Sequence, residues 1–198
     1  MATGSLVTSD LLQRLGAELD AETLAHSERT AELAVQLAAH HGVDPERARL
    51  AALIHDVADC YSERELLVLA ERYGIDLSLT EARVPRLLHG KIGAEILRRD
   101  WGITDDELLD AVRDHITGGI RMGPLARVLF VADKLEPERD RHFGGLDPIR
   151  QLAVVNLEAA MLKLYAWRMD QLIGAGKPLD NALVRARNQL IERTLGSG

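Results

Sequence analysis

The chain has 198 residues, with 24 Lys+Arg against 31 Asp+Glu, a net charge of −7 with histidine neutral. That length suits one domain with a sizeable core; 46% hydrophobic residues exclude disorder, and 4% aromatic residues leave the core to Leu, Ala, Val and Ile. An acidic balance without a basic tract argues against nucleic-acid binding, and the single cysteine, Cys60, excludes an internal disulfide framework and a CxxC metal site. No apolar run approaches the ~18–20 residues that span a bilayer. The start, MATGSLVTSDLLQRL, lacks the charged opening and unbroken apolar stretch of a secretory signal, so the expectation is a soluble, cytoplasmic protein with no membrane partner.

The predicted elements are helical nearly throughout. Apolar residues recur at helical spacing from Glu22 to His41, where Gly42 ends the segment. Asp44 as N-cap and Pro45 in the first turn open a second helix, about Pro45 to Ala58. Ser62 and Glu65 have capping-box spacing and start a helix to about Tyr73. Further helices read from about Gly90 to Trp101, Thr104 to His115, and Pro124 to Leu135. Thr104 and Glu107 repeat the capping-box spacing, and Gly118-Gly119 ends the segment they start. Glu136 to Pro148 reads as a turn-rich, ordered loop. A long helix over Ile149–Ile173, the break GAGKP, and a last helix over Leu179–Leu195 complete the chain. With no strand pattern and no repeat, the fold class expected is all-α, one helical bundle over 1–198. Its core is expected over about 22–135, with the helices of about 149–195 packing on it. The long 149–173 helix is also compatible with a homodimer.

Six polar residues break the apolar pattern. Asp133 has Leu129 and Phe130 one turn before it on its face, and Asp56 has Ala52 and Leu53 in the same places. His26 shares a face with Thr30, Leu33 and Leu37. His55 stands over Ala51 and Ala52, His89 precedes Ile92 and Ile96, and His115 follows Leu108, Ala111 and Val112. Singly, each is more often a satisfied core histidine or a helix-terminal aspartate. Together, six inward polar groups need a common explanation, because an unpaired buried carboxylate costs several kcal/mol. Imidazole and carboxylate suit Fe, Mn, Zn, Co or Ni, and the lack of thiolates disfavours a structural zinc site. Adjacent helical residues diverge by about 100°, yet a long imidazole and a short carboxylate converge on a centre between them. A bridging Asp56 would suit two metals roughly 3.5–4 Å apart.

The ordered set His26, His55-Asp56, His89, His115, Asp133 resembles the HD-domain superfamily of metal-dependent phosphohydrolases, an all-helical group. HSERTAELA, LAALIHDVAD, LLHGKIGA, VRDHITG, LFVADKLEPERD and a late ARN are similar to its YqeK-like branch, over about Ala25 to Asn188. The resemblance implies a symmetrical diadenosine tetraphosphatase that makes two ADP with a hydroxide activated by two metals. It implies His26, His55, Asp56 and Asp133 around one metal and Asp56, His89 and His115 around the other. Iron is the metal it suggests, with manganese or another divalent or trivalent ion also compatible. The expected phosphate-facing cations are Arg29 and Lys91 near the reaction, and Arg139 and Arg187 along the groove, with Thr117 and Gly118 as further phosphate contacts. For each, helix solvation, ion pairing or helix termination is the competing reading.

The chain departs from the branch pattern at three places. Asp59 occupies the lysine place of HD-x-A-K, Thr23 stands where a basic residue is usual, and HTTG reads HITG with Ile116. These leave the metal residues whole and bear on substrate and rate; on this reading Asp59→Lys keeps activity or raises it. Two alternatives therefore stay open: an HD phosphohydrolase for another nucleotide or phosphomonoester, and a non-catalytic metal- or nucleotide-sensing domain. Blander roles are expected for His40 and His41 at a helix end, for His142 in a polar loop, for Cys60, and for Trp101 and Trp167 in packing.

Overall fold

A computed structural model describes residues 7–139 and 145–195, and His142 lies outside them. The described residues form helices and turns without strands. In chain order the helices are α1 (Ser9–Glu18), α2 (Ala21–His40), α3 (Pro45–Ile54), α4 (Glu63–Tyr73), α5 (Leu79–Arg83), α6 (His89–Arg99), α7 (Asp106–Asp114), α8 (Pro124–Leu135), α9 (Asp147–Val155), α10 (Leu157–Gly174) and α11 (Asn181–Leu195), with a 3₁₀ turn at Pro85–Leu88. None is long and apolar enough to cross a membrane.

Helix α8 is the hub. Nine of its twelve residues are buried, among them Leu129, Phe130 and Val131, as expected of a helix apolar on every side. It packs against α2, α3 and α7 on the metal-residue side and against α9 and α10 on the other. Phe130 lies 5.0 Å from the Tyr165 ring of α10, centroid to centroid. Each such fully buried side chain contributes about 2–3 kcal/mol. A rigid, apolar α8 gives its one buried acid, Asp133, a fixed position.

Three local expectations differ from the structure. The helix expected to run to Ala58 ends at Ile54, and 55–60 continue in tighter turns, with Val57 N–H donating to Ile54 O and Asp59 N–H to Asp56 O. The Thr104–Glu107 box does not form; Asp105 is the N-cap and accepts from Glu107 and Leu108 N–H. The long 149–173 helix is two helices, because Asn156 is extended (φ −147°, ψ 98°) and caps α10 by accepting from Ala159 N–H. Helices α1 and α5 were not among the elements expected from the sequence. The Ser62–Glu65 capping box forms as read.

Candidate metal centre and active site

The turn after α3 carries His55 and Asp56, α2 carries His26, α6 begins at His89, α7 ends before His115, and α8 carries Asp133. Three of the histidines share one local device. His55, His89 and His115 each donate Nδ1–H to the backbone carbonyl three residues earlier, Ala52, Arg86 and Val112, at 2.7 Å. A carbonyl only accepts, so Nδ1 carries the proton and each Nε2 is turned toward the centre. His26 is held differently: its Nδ1 lies 3.2 Å from Glu136 Oε1 and its Nε2 3.1 Å from Asp133 Oδ1.

Asp56 lies between these rings with its two oxygens divided. Oδ2 is 3.2 Å from His55 Nε2 and 3.7 Å from His26 Nε2, while Oδ1 is 3.3 Å from both His89 Nε2 and His115 Nε2. His89 Nε2 and His115 Nε2 are themselves 3.0 Å apart. Ligand atoms of His26, His55 and Asp56, of His55, His115 and Asp133, and of Asp56, His89 and His115 fall in groups within 4.8 Å. His55 Nε2 is fully buried and has no hydrogen-bond partner of acceptable geometry. A buried imidazole nitrogen without a hydrogen-bond partner, surrounded by anionic oxygens and imidazole nitrogens, fits a divalent cation that takes the place of its proton.

The electrostatics agree with that fit. Burial disfavours the Asp56 and Asp133 carboxylates, but the surrounding imidazoles and, for Asp133, Lys134 and Arg139 overcome it and hold both well below the usual carboxylate range. Anionic oxygens are therefore present throughout the neutral range. Glu136 is buried although nothing in the sequence pattern marked it. Its carboxylate accepts from Arg29 Nε at 2.8 Å and from Glu138 N–H at 2.9 Å, and it meets His26 Nδ1. It orients a candidate ligand from behind, and its location just past α8 in a loop hid it.

A cavity of about 560 Å³ opens over the cluster, bordered by Arg29, Lys134, Arg139, Trp167 and Arg168 as well as by His26, Asp56, His89, His115 and Asp133. Arg139 Nη2 donates to Asp133 Oδ1 at 2.7 Å and lies 3.2 Å from His26 Nε2. Arg29 thus comes to the cavity with Glu136, and Arg139 with Asp133. Lys91, Thr117, Gly118 and Arg187 are not among the lining residues. Lys91 Nζ is drawn to Glu81 Oε1 at 2.7 Å, and Thr117 Oγ1 bonds to the Gly118 carbonyl at 3.3 Å. Gly118 has φ +77° and is covered by Tyr165, and Arg187 turns to Asn188 Oδ1 at 2.9 Å. Lys134, Arg168, Glu136 and Arg86 are among the lining residues that the sequence reading missed.

Residues 23–138 match the HD domain model. The chain belongs to the HD domain family. Among its relatives, the symmetrical bis(5'-nucleosyl)-tetraphosphatase of Bacillus subtilis (strain 168) is 32% identical over 154 residues, 78% of this chain and 81% of that protein. The protein of the same name from Halalkalibacterium halodurans is 29% identical over 184 residues, 91% of this chain and 95% of that one. A crystal structure described as a predicted HD superfamily hydrolase involved in NAD metabolism, from Clostridium acetobutylicum, superposes with a TM-score of 0.89 at 30% identity, covering 96% of this chain and all of that one. In this HD domain the HD pair is His55-Asp56.

Asp59, the departure at the lysine place, has a partner. Arg86 donates to both its carbonyl and its carboxylate, and both residues border the cavity. The local charge is therefore balanced rather than reversed. A lysine at 59 would face Arg86 with like charge, so the expectation that Asp59→Lys keeps or raises activity is withdrawn.

Proposed function

We propose that this HD domain hydrolyses diadenosine tetraphosphate symmetrically to two ADP. The observation that carries the reading is the division of Asp56, one oxygen toward His26 and His55 and the other toward His89 and His115, beneath a cavity lined with cations. The Bacillus subtilis and Halalkalibacterium halodurans relatives, both symmetrical bis(5'-nucleosyl)-tetraphosphatases by name, support the substrate.

His26, His55, Asp56 and Asp133 would hold one metal, and Asp56, His89 and His115 the other. Iron is the proposed metal, with manganese the nearest alternative for a nitrogen and oxygen donor set. A bound pair supplies Lewis acidity toward phosphoryl oxygens and a water acidic enough to attack near neutral pH. The chain's own part is positioning and charge. Nδ1–H bonds to Ala52, Arg86 and Val112 fix three imidazoles, so their nitrogens need no reorganisation. Arg29, Lys134, Arg139 and Arg168 face the polyphosphate and offset charge on its oxygens. Water oxygen bonds to an inner phosphorus, the bond from that phosphorus to the central bridging oxygen breaks, and one ADP leaves from each side. Lys91, Thr117, Gly118 and Arg187 have no part in this proposal.

The test compares kcat/KM of the metal-loaded protein on diadenosine tetraphosphate, a deoxynucleoside triphosphate and p-nitrophenyl phosphate. The dinucleotide is expected to lead by at least about a hundredfold, the ~3 kcal/mol that extra contacts to a second nucleotide supply. A lead for either of the others gives the site to a different nucleotide or to a monoester.

A further inference from the structure

The pair Asp59–Arg86 is built into the metal-residue framework from both ends. Asp59 N–H donates to Asp56 O at 2.8 Å, which fixes its carboxylate just beyond Asp56. The Arg86 carbonyl accepts Nδ1–H of His89 at 2.7 Å, and Asp59 Oδ1 lies 3.8 Å from that nitrogen. Between them, Arg86 Nη1 donates to the Asp59 carbonyl at 2.8 Å and Nη2 donates to Asp59 Oδ1.

A guanidinium has five N–H donors in a rigid fork. Asp59 occupies two, and the rest sit on a side chain that borders the same cavity as Asp56, His89 and His115. An unrestrained surface arginine samples many rotamers; the two hydrogen bonds to Asp59 remove much of that freedom before anything binds. A carboxylate alone at this rim would repel a polyphosphate. Holding a fork with donors to spare turns that rim into a site for an anion with several oxygens.

We propose that Arg86 contacts a phosphate of the substrate and that Asp59 is the positioning residue that aims it. This rests on reading the cavity as a phosphate-ester site, and it adds a contact on the Asp56–His89 side of it. Plain electrostatics and the proposal predict opposite signs for one variant. Asp59→Asn removes a negative charge, which by itself tightens binding of an anion. If Asp59 aims Arg86, the same change weakens it.

The experiment is calorimetric titration of methylenediphosphonate, a diphosphate mimic without a cleavable bridge, into the manganese-loaded full chain at low salt. Relative to the parent, Arg86→Gln is expected to bind about tenfold more weakly and Asp59→Asn about threefold more weakly. Arg86→Lys, which keeps the charge and loses the fork, is expected to resemble Arg86→Gln. The exchange Asp59→Arg with Arg86→Asp should regain part of the loss, with manganese content and circular dichroism unchanged throughout. Unchanged affinity in Arg86→Gln overturns the contact, and unchanged or tighter binding in Asp59→Asn overturns the positioning. The mimic reports on phosphate binding whichever nucleotide is hydrolysed. Failure of the proposed substrate would instead appear as absent dinucleotide turnover in the parent protein.

Discussion

Loading the cluster with metal is predicted to release one proton near neutral pH, and that proton comes from His55. Burial alone would push the His55 imidazolium down, but the charges of Asp56, 3.2 Å away, and of Asp133 overcome burial and raise it to about 9. His115 differs: burial, with the nearby His55 and His89 charges, outweighs Asp56 and lowers it to about 4. At pH 7 His55 is thus mostly protonated and His115 neutral. A metal takes only the free imidazole nitrogen. Apparent manganese affinity should therefore rise about tenfold per pH unit between pH 6 and 8 and level off near 9. Calorimetry in buffers of different ionisation enthalpy counts the protons directly. A count near zero at pH 7, with an affinity flat in pH, would refute the reasoning. The same shift fixes a stability sign. His55 is raised above its ordinary 6.5, so its contribution is complete below about 6.5 and is lost as pH climbs through about 9. The gap of about 2.5 units corresponds to about 3 kcal/mol. The metal-depleted protein should lose roughly 6–12 °C of Tm across that window, and the metal-loaded protein should not.

Three substitutions extend these expectations. Asp56→Ala removes the carboxylate shared by both halves of the cluster, so elemental analysis should find both metals lost and turnover abolished, with helical circular dichroism kept; full metal content would sink the bridging role. Glu136→Gln takes the carboxylate from behind His26 and from Arg29, and it should weaken metal binding 10–100-fold, read from free manganese by electron paramagnetic resonance. Gly118→Ala meets both a left-handed backbone (φ +77°) and the Tyr165 hydroxyl. It should cost more than the roughly 1–2 kcal/mol of the backbone penalty alone, and adding Tyr165→Phe should return only the clash part in thermal melts.

The helices and the six metal-binding candidates were legible because both leave local signals. Capping residues and Gly or Pro mark helix ends, and a histidine or aspartate in an apolar stripe stands out against its neighbours. What sequence could not show was set by contacts between distant segments. Asn156 breaks a continuous apolar pattern because its side chain caps α10, and the pattern on either side gives no hint of the break. Glu136 and Arg86 read as loop and turn charges, and their meaning comes from His26, Arg29 and Asp59, which lie far along the chain. The same cause removed Lys91 and Arg187 from the cavity: each has a carboxylate or amide within reach that spacing does not reveal.

The most direct test of the central claim is product identity. The iron- or manganese-loaded protein, kept from oxygen, is incubated with diadenosine tetraphosphate, and the products are separated by ion-exchange chromatography. Two ADP per substrate, with no ATP or AMP at early times, is the predicted result. ATP and AMP in equal amounts would contradict it, because an outer anhydride bridge would then have been cleaved instead of the central one.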